Sequence, residues 1–329
     1  MILDPLQLVN PNLNCSRTIR LDFFRETDLP EYPLFFIETA DHAILDPRQS
    51  CSVESALRNS GRNPIILMSS PILKPADSNA TCQLLRYGVK FFKYNFVDFV
   101  KGTPLENLVY EELERNKDVI THASDMMRQV SVYKYGGMYL DLDFVILRDL
   151  TGIRNSVTMT NMAREYESVK NNSEFCDPKG PSEKGHIQNA FVALDKGHQL
   201  PWKIMENLVK TYNGDKNRAA TGPLLLTHSI EELYHISSKE LRGFKNENLT
   251  ILPTFKFFTT GANRVGTIFN TRKERSSVEW DEFFSCSYAV HFYSYNTKKL
   301  KVSRNPKTDT YSYLAPKHCP ISYLSQKQF

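Results

Sequence analysis

The 329-residue chain has little that would place it across a membrane, on nucleic acid or around a zinc ion. No apolar run reaches the roughly 18 residues needed to span a bilayer. The opening stretch, MILDPLQLVNPNLNCSRTIR, lacks the apolar centre of a signal peptide. The chain as it stands therefore reads as soluble, with no transmembrane segment. Charge of one sign is not in excess: 41 basic residues face 37 acidic ones, for a net +4. That leaves no dense basic stripe and no nucleic-acid footprint, although a mildly basic surface suits an anionic substrate or a membrane surface. No two of the six cysteines stand in CxxC spacing, which argues against zinc. The absence of any GxxxxGK[ST] loop argues against a P-loop NTPase. No internal repeat or low-complexity tract is present.

The composition, 41% hydrophobic and 24% charged, is that of an ordinary globular protein. The six cysteines fit either scattered reduced thiols or an oxidised lumenal set. Sequons at Asn14, Asn79, Asn171 and Asn248 lean toward secretion.

Along the chain, residues 1–33 read as an irregular N-terminal segment, and 34–329 as a single domain. LFFIETA (34–40), NPIILMSS (63–70) and VKFFKYNF (89–96) read as strands, with a helix over 51–62 that stops at Gly61. This alternation predicts an α/β fold with a mostly parallel sheet flanked by helices. Residues 118–137 form the clearest helix: Val119, Ile120, Ala123, Met126, Met127, Val130 and Tyr133 share one face, and Gly136 and Gly137 end it. Asp125 and Arg128 lie on the opposite face, as a surface ion pair or as a pair turned into a cleft. The polar stretch 155–187 has the character of a lid. Beyond it, 187–197 reads as a strand, 200–212 as a helix, 221–230 as a helix opened by Pro223, and 286–295 as a late strand.

The chemistry concentrates in YGGMYLDLDFVILRDL, 135–150. Asp141 and Asp143 interrupt an apolar run that otherwise reads as one buried strand. Unpaired carboxylates are costly to bury. On a strand the two share a face, where they repel unless a divalent cation takes their oxygens. Ligands of open α/β sheets sit at the carboxyl ends of strands, so the pair is a candidate metal anchor for a phosphate-bearing ligand.

The segment SDMMRQVSVYKYGGMYLDLDFVIL resembles the DxD sugar-binding segment of family 32 glycosyltransferases, S-D-x-x-R followed by G-G-x-Y-x-D-x-D. FFIETA, CSVESALR, TGPLLLTHSI, YAVH and KHCP, in that order, are similar to the α-1,4-galactosyltransferase and α-1,4-N-acetylglucosaminyltransferase branch. The resemblance implies a GT-A fold, with 34–150 as the nucleotide-sugar half and 151–329 as the acceptor half. It implies a UDP-sugar donor, manganese or another divalent cation, and retention at the anomeric carbon. Carried over, Asp143 binds the metal directly and Asp141 touches the metal or the ribose. Asp125 and Arg128 hold donor-sugar hydroxyls, and Tyr139 lines the donor pocket. His291 closes the metal and diphosphate site, Glu38 and Thr39 open the uridine pocket, and the family's asparagine is matched to Asn189 rather than Gln188. The chain reads His291-Phe292-Tyr293-Ser294 where the branch has H-x-W-N.

The same resemblance implies galactose transfer from UDP-galactose in α-1,4 linkage to a terminal galactoside, such as lactosylceramide. UDP-GalNAc or UDP-GlcNAc as donor is the alternative, and an inactive glycan- or sugar-nucleotide-binding protein is an alternative of another class. Phe255, Phe257, Phe258, Tyr293 and Tyr295 are candidates for stacking on acceptor sugars, or for the core. The branch is made of type II membrane proteins of the Golgi lumen, so membrane contact would come through a lipid acceptor or an N-terminal anchor. In such a lumen Cys51–Cys82 is one candidate bridge.

Overall fold

Four segments with apolar residues at nearly every position supply the centre of the molecule: LFFIE, PIILM, GMYL and HIQNAFVAL. Strands buried on both faces read as continuous apolar runs, and these are buried along almost their whole length. The computed structural model describes residues 15–114, 120–160, 185–212, 221–259, 266–269 and 274–325. Asn14, Asn171, Cys176 and the middle of the expected lid (161–184) lie outside the described residues.

The strands are β1 (Ile19–Arg20), β2 (Leu34–Glu38), β3 (Pro64–Met68), β4 (Ile72–Leu73), β5 (Lys90–Lys93), β6 (Gly137–Leu140), β7 (Phe144–Ile146), β8 (Ser156–Thr160), β9 (His186–Leu194), β10 (Thr250–Leu252) and β11 (Ala289–His291). Seven of them form one sheet in the order β10-β8-β9-β6-β2-β3-β5. β2 pairs in parallel with β3 and β6, β3 with β5, and β10 with β8; β9 runs antiparallel to both β6 and β8. β1 with β4, and β7 with β11, make two small antiparallel ribbons. The expected α/β architecture, a mostly parallel sheet flanked by helices, is the one found.

Alternation along each strand divides the core into two layers. Leu34, Phe36, Ile66, Met68, Met138 and Leu140 face one. Phe35, Ile37, Ile65, Leu67, Tyr139 and Val192 face the other. Helix α1 (Pro47–Asn59) covers the first layer, and it starts earlier than its apolar pattern suggests. Asp46 accepts from Gln49 N at 2.8 Å in a capping box, with Pro47 in the first turn. The helix Ile120–Tyr135 covers the second layer through Met126, Met127 and Val130. Gly136 follows in the left-handed region, φ +67°, and donates to Val132 O at 3.0 Å. Gly137, φ +99°, is obligatory as well: a Cβ there would stand 2.3 Å from Pro33 O.

Two expectations need correction. The run 135–150 is not one strand, because β6 ends at Leu140 and a turn over 141–143 leads into β7, which belongs to a different ribbon. The cysteines join as Cys15–Cys82 and Cys51–Cys319 rather than Cys51–Cys82. Cys319 follows the helix Thr310–His318, which packs against α1 and brings that cysteine to Cys51. No described cysteine is free.

Among the described residues no helix is long and apolar enough to cross a membrane.

Candidate active site

The turn between β6 and β7 lies beyond the carboxyl ends of the parallel strands, where ligands of such sheets collect. Its backbone is fixed on both sides. Asp141 N donates to Ala190 O of β9 at 2.9 Å, and Asp143 O accepts from Phe292 N at 2.9 Å. β7 pairs with β11 along one edge, so Phe144 stands opposite His291. Its other edge is bonded by side chains of α1: Ser55 Oγ accepts from Ile146 N at 2.9 Å, and Asn59 Nδ2 donates to Ile146 O at 2.7 Å. The aspartates and His291, far apart in sequence, are thereby brought together.

Each aspartate is held by one oxygen and presents the other. Asp141 Oδ1 accepts from Tyr139 Oη at 2.6 Å and pairs with Arg128 at 3.2 Å. Asp143 Oδ2 accepts from Ser294 N at 2.6 Å. The remaining oxygens face His291 Nε2, with Asp143 Oδ1 at 2.8 Å and Asp141 Oδ2 at 4.0 Å. The 2.8 Å contact is misaligned for a hydrogen bond, so Asp143 Oδ1 and His291 Nε2 are both buried without a hydrogen-bond partner. Buried polar atoms are seldom left so. Ligand atoms on one cation at ~2.1 Å stand ~3 Å apart in neighbouring positions. The three groups offer ligand atoms within 4.8 Å of one another. The donor set of two carboxylates and an imidazole fits a divalent cation.

Burial raises the proton affinity of Asp141, and Arg128 offsets this only in part, so its pKa stays above the usual carboxylate value. Burial acts on Asp143 in the same sense, but His291 and the Ser294 amide outweigh it and the net shift is downward. Asp143 is therefore the more readily ionised of the two.

Arg128 is the centre of a second cluster. It is 4% exposed, and all five of its N–H groups have protein acceptors available. Nε donates to Ser124 O at 3.0 Å, and the terminal nitrogens reach Asn189 O, Ser124 Oγ, Asp125 Oδ1 and Asp141 Oδ1. The guanidinium also lies over the Tyr139 ring, 4.8 Å from its centroid. The Asp125–Arg128 pair is thus no surface ion pair. Asp125 accepts from Asn189 Nδ2 at 2.8 Å and from Thr221 Oγ1 at 3.0 Å.

The structure thus gathers Asp125, Arg128, Tyr139, Asp141, Asp143, Asn189 and His291. Tyr139 is 1% exposed and acts on the site by orienting Asp141, so it is not a pocket wall. Glu38 is at the end of β2, buried, with its carboxylate accepting from Ala40 N and His42 N of the following loop. Thr39 is half-buried beside it. Phe255, Phe257, Phe258 and Tyr293 are core residues, whereas Tyr295 is 70% exposed.

Sequence reasoning missed Thr221, read only as the start of a helix. It also missed the contribution of Ser294, which enters through its backbone. Tyr293, in the left-handed region at φ 48°, turns the chain to deliver that amide. Since the contact is made by the backbone, replacement of the branch's asparagine by serine leaves it intact.

Two family models meet at this site. Glycosyltransferase sugar-binding region containing DXD motif matches residues 46–165, and Alpha 1,4-glycosyltransferase conserved region matches 193–325. Lactosylceramide 4-alpha-galactosyltransferase of Mus musculus is 22% identical over 306 residues, covering 90% of this chain and 76% of that protein. Human Alpha-1,4-N-acetylglucosaminyltransferase is 24% identical over 304 residues, covering 88% and 79%. Among solved structures, PaToxG glycosyltransferase aligns at TM-score 0.43 and 20% identity over 66% of this chain and 75% of its own. Galactosyltransferase LgtC, in complex with donor and acceptor sugar analogues, aligns at TM-score 0.37 and 12% identity over 89% and 95%. The chain is thus similar, over most of its length, to α-1,4-glycosyltransferases and to the DXD-containing sugar-binding region.

Proposed function

We propose that the protein is a retaining glycosyltransferase that moves galactose from UDP-galactose in α-1,4 linkage onto a terminal galactoside, a glycosphingolipid such as lactosylceramide. The observation that carries this reading is the trio of free ligand atoms, Asp141 Oδ2, Asp143 Oδ1 and His291 Nε2, beside a buried network of sugar-compatible donors and acceptors. A divalent cation such as manganese, when bound there, supplies electrostatic stabilisation of the departing diphosphate. Asp143 and His291 hold it directly, and Asp141 completes the set under control of Tyr139 and Arg128.

Arg128 has spent its donors within the protein, so its part is to position Asp141, Asp125 and the Asn189 backbone. Asp125, with Asn189 and Thr221, presents the polar wall available to donor-sugar hydroxyls. Among the described residues of this cluster Asp125 is engaged through both oxygens by Asn189 and Thr221, and the open oxygens of Asp141 and Asp143 face His291, where the cation would take them. None is left over as a covalent nucleophile. We therefore favour attack on the donor face from which UDP departs, with a donor phosphate oxygen taking the acceptor proton. Trapping a glycosyl-enzyme adduct would overturn that route. The disulfides support an oxidising lumen as the setting.

The test is a donor screen. The protein is incubated with manganese, a lactosyl acceptor and UDP-galactose, UDP-GalNAc or UDP-GlcNAc in turn, and product linkage is determined. UDP-GlcNAc is the second reading, supported by the relative that transfers N-acetylglucosamine. Transfer at full rate by D141A/D143A, or none from any donor, would refute the assignment.

A further inference from the structure

The sequon Asn248-Leu249-Thr250 plays no part in the site above, and the fold displays it. Asn248 is exposed, in a turn entering β10. The turn is shaped by Asn246, whose Oδ1 accepts from Asn248 N at 2.9 Å and Leu249 N at 2.7 Å. The Asn248 carbonyl meets His198 Nε2 at 2.9 Å, while its side-chain amide has no partner among the described residues. Leu249 is buried and pins the turn to the core, so the Asn248 amide is held outward on a fixed support.

The Asn79 sequon differs. Its Oδ1 accepts from Gln83 Nε2, and its threonine, Thr81, is fully buried with its hydroxyl on Ser78. A second, independent observation concerns compartment. Cys15–Cys82 and Cys51–Cys319 are disulfides and no described cysteine is free, a pattern of chains folded in an oxidising lumen. Sequons are modified in that same environment.

We infer that Asn248 carries an N-linked glycan. The step joins Asn248 Nδ2 to the anomeric carbon of a lipid-pyrophosphate-linked oligosaccharide. A C–N bond forms, the C–O bond to the lipid pyrophosphate breaks, and the amide proton passes to a base of the transferring enzyme.

The position is compatible with catalysis. β10 runs parallel to β8, and β8 and β6 are both antiparallel to β9, so the start of β10 is at the end of the sheet opposite Asp141. At ~3.3 Å per residue and ~4.8 Å per strand the separation is roughly 20 Å. A glycan there leaves the cleft open.

The test is glycopeptide mapping of the full chain secreted from an animal cell behind a cleavable leader. Disulfide mapping of the same material shows that it passed through an oxidising compartment. A glycan on most copies of the Asn248 peptide is expected. It should be retained in T250S and lost in T250V and N248Q, each loss moving the protein by one glycan on a gel. Sugar-nucleotide turnover by N248Q should stay within about twofold of the parent, since a group ~20 Å away makes no contact with the cleft. An unmodified Asn248 in material whose Cys15–Cys82 and Cys51–Cys319 bridges have formed would overturn the inference. Donor and acceptor identity do not enter, so its failure is separable from failure of the proposed activity.

Discussion

Replacing Arg128 by methionine keeps the length and apolar stem of the side chain but removes every N–H that binds the two acidic partners. Three neutral acceptors lose a donor: Ser124 O, Ser124 Oγ and Asn189 O. Each such loss costs about 1 kcal/mol. Asp125 and Asp141 lose the cation between them, and breaking a buried ion pair from one side costs about 3–5 kcal/mol in total. Asp125 keeps Asn189 and Thr221, and Asp141 keeps Tyr139, so the ion-pair loss stands at its low end, about 3 kcal/mol, and the total at about 6 kcal/mol. With an unfolding entropy of about 2.1 cal/mol/K per residue, a 329-residue chain loses about 9 °C of melting temperature. Calorimetry of R128M, D125N and D125N/R128M measures it. The double variant should recover more than about 1.5 kcal/mol of the summed single losses, because one of the two charges left uncompensated is gone. A loss under about 1 kcal/mol in R128M, or strict additivity in the double variant, would refute the placement of Arg128 as a buried keystone.

Further expectations follow from the same geometry. Serine 294 acts through its backbone, so S294A should bind manganese and UDP within about twofold of the parent, whereas S294P, lacking the N–H, should lose about tenfold or more by calorimetric titration. Cys51 and Cys319 close a loop with a sequence separation of 268. By chain entropy the bridge contributes about 5.6 kcal/mol at most, and C51A/C319A should lose about 2–5 kcal/mol in urea unfolding. His318 is pushed down to about 4 by burial, with Lys317 and Arg58 adding to the effect. Its ordinary value is 6.5, so between pH 6.5 and 4 the unfolded chain binds a proton that the native one refuses, and stability falls with acid by roughly 3 kcal/mol. H318Q should flatten that part of the stability–pH curve. An unchanged slope would show that the ring does not carry it.

The elements that could be read in advance are those whose signal is local. The helix Ile120–Tyr135 carries its apolar face at three- and four-residue steps, and LFFIE and PIILM read as doubly buried strands without any partner in view. The aspartate pair is conspicuous because carboxylates inside an apolar run demand a reason. What failed depends on partners distant in sequence. MYLDLDFVIL looks continuous, yet its halves pair with β2 and β9 on one side of the turn and with β11 on the other. Phe255, Phe257 and Phe258 carry no mark that separates a sugar platform from a core, and the cysteine pairing is set by the helix packed on α1. Arg128 illustrates the mixture: its proximity to Asp125 follows from helical spacing, but only the fold shows its guanidinium saturated.

The chelating trio straddles a seam. Asp141 stands at the tip of the seven-stranded sheet, while Asp143 and His291 flank and occupy the β7–β11 ribbon, which among the described residues shares no ladder with that sheet. An ion gripped by all three would rivet one sheet to the other. Chelation and the seating of β11 would then be linked, and a fragment ending before β11 would carry the DxD letters without the imidazole that completes the trio.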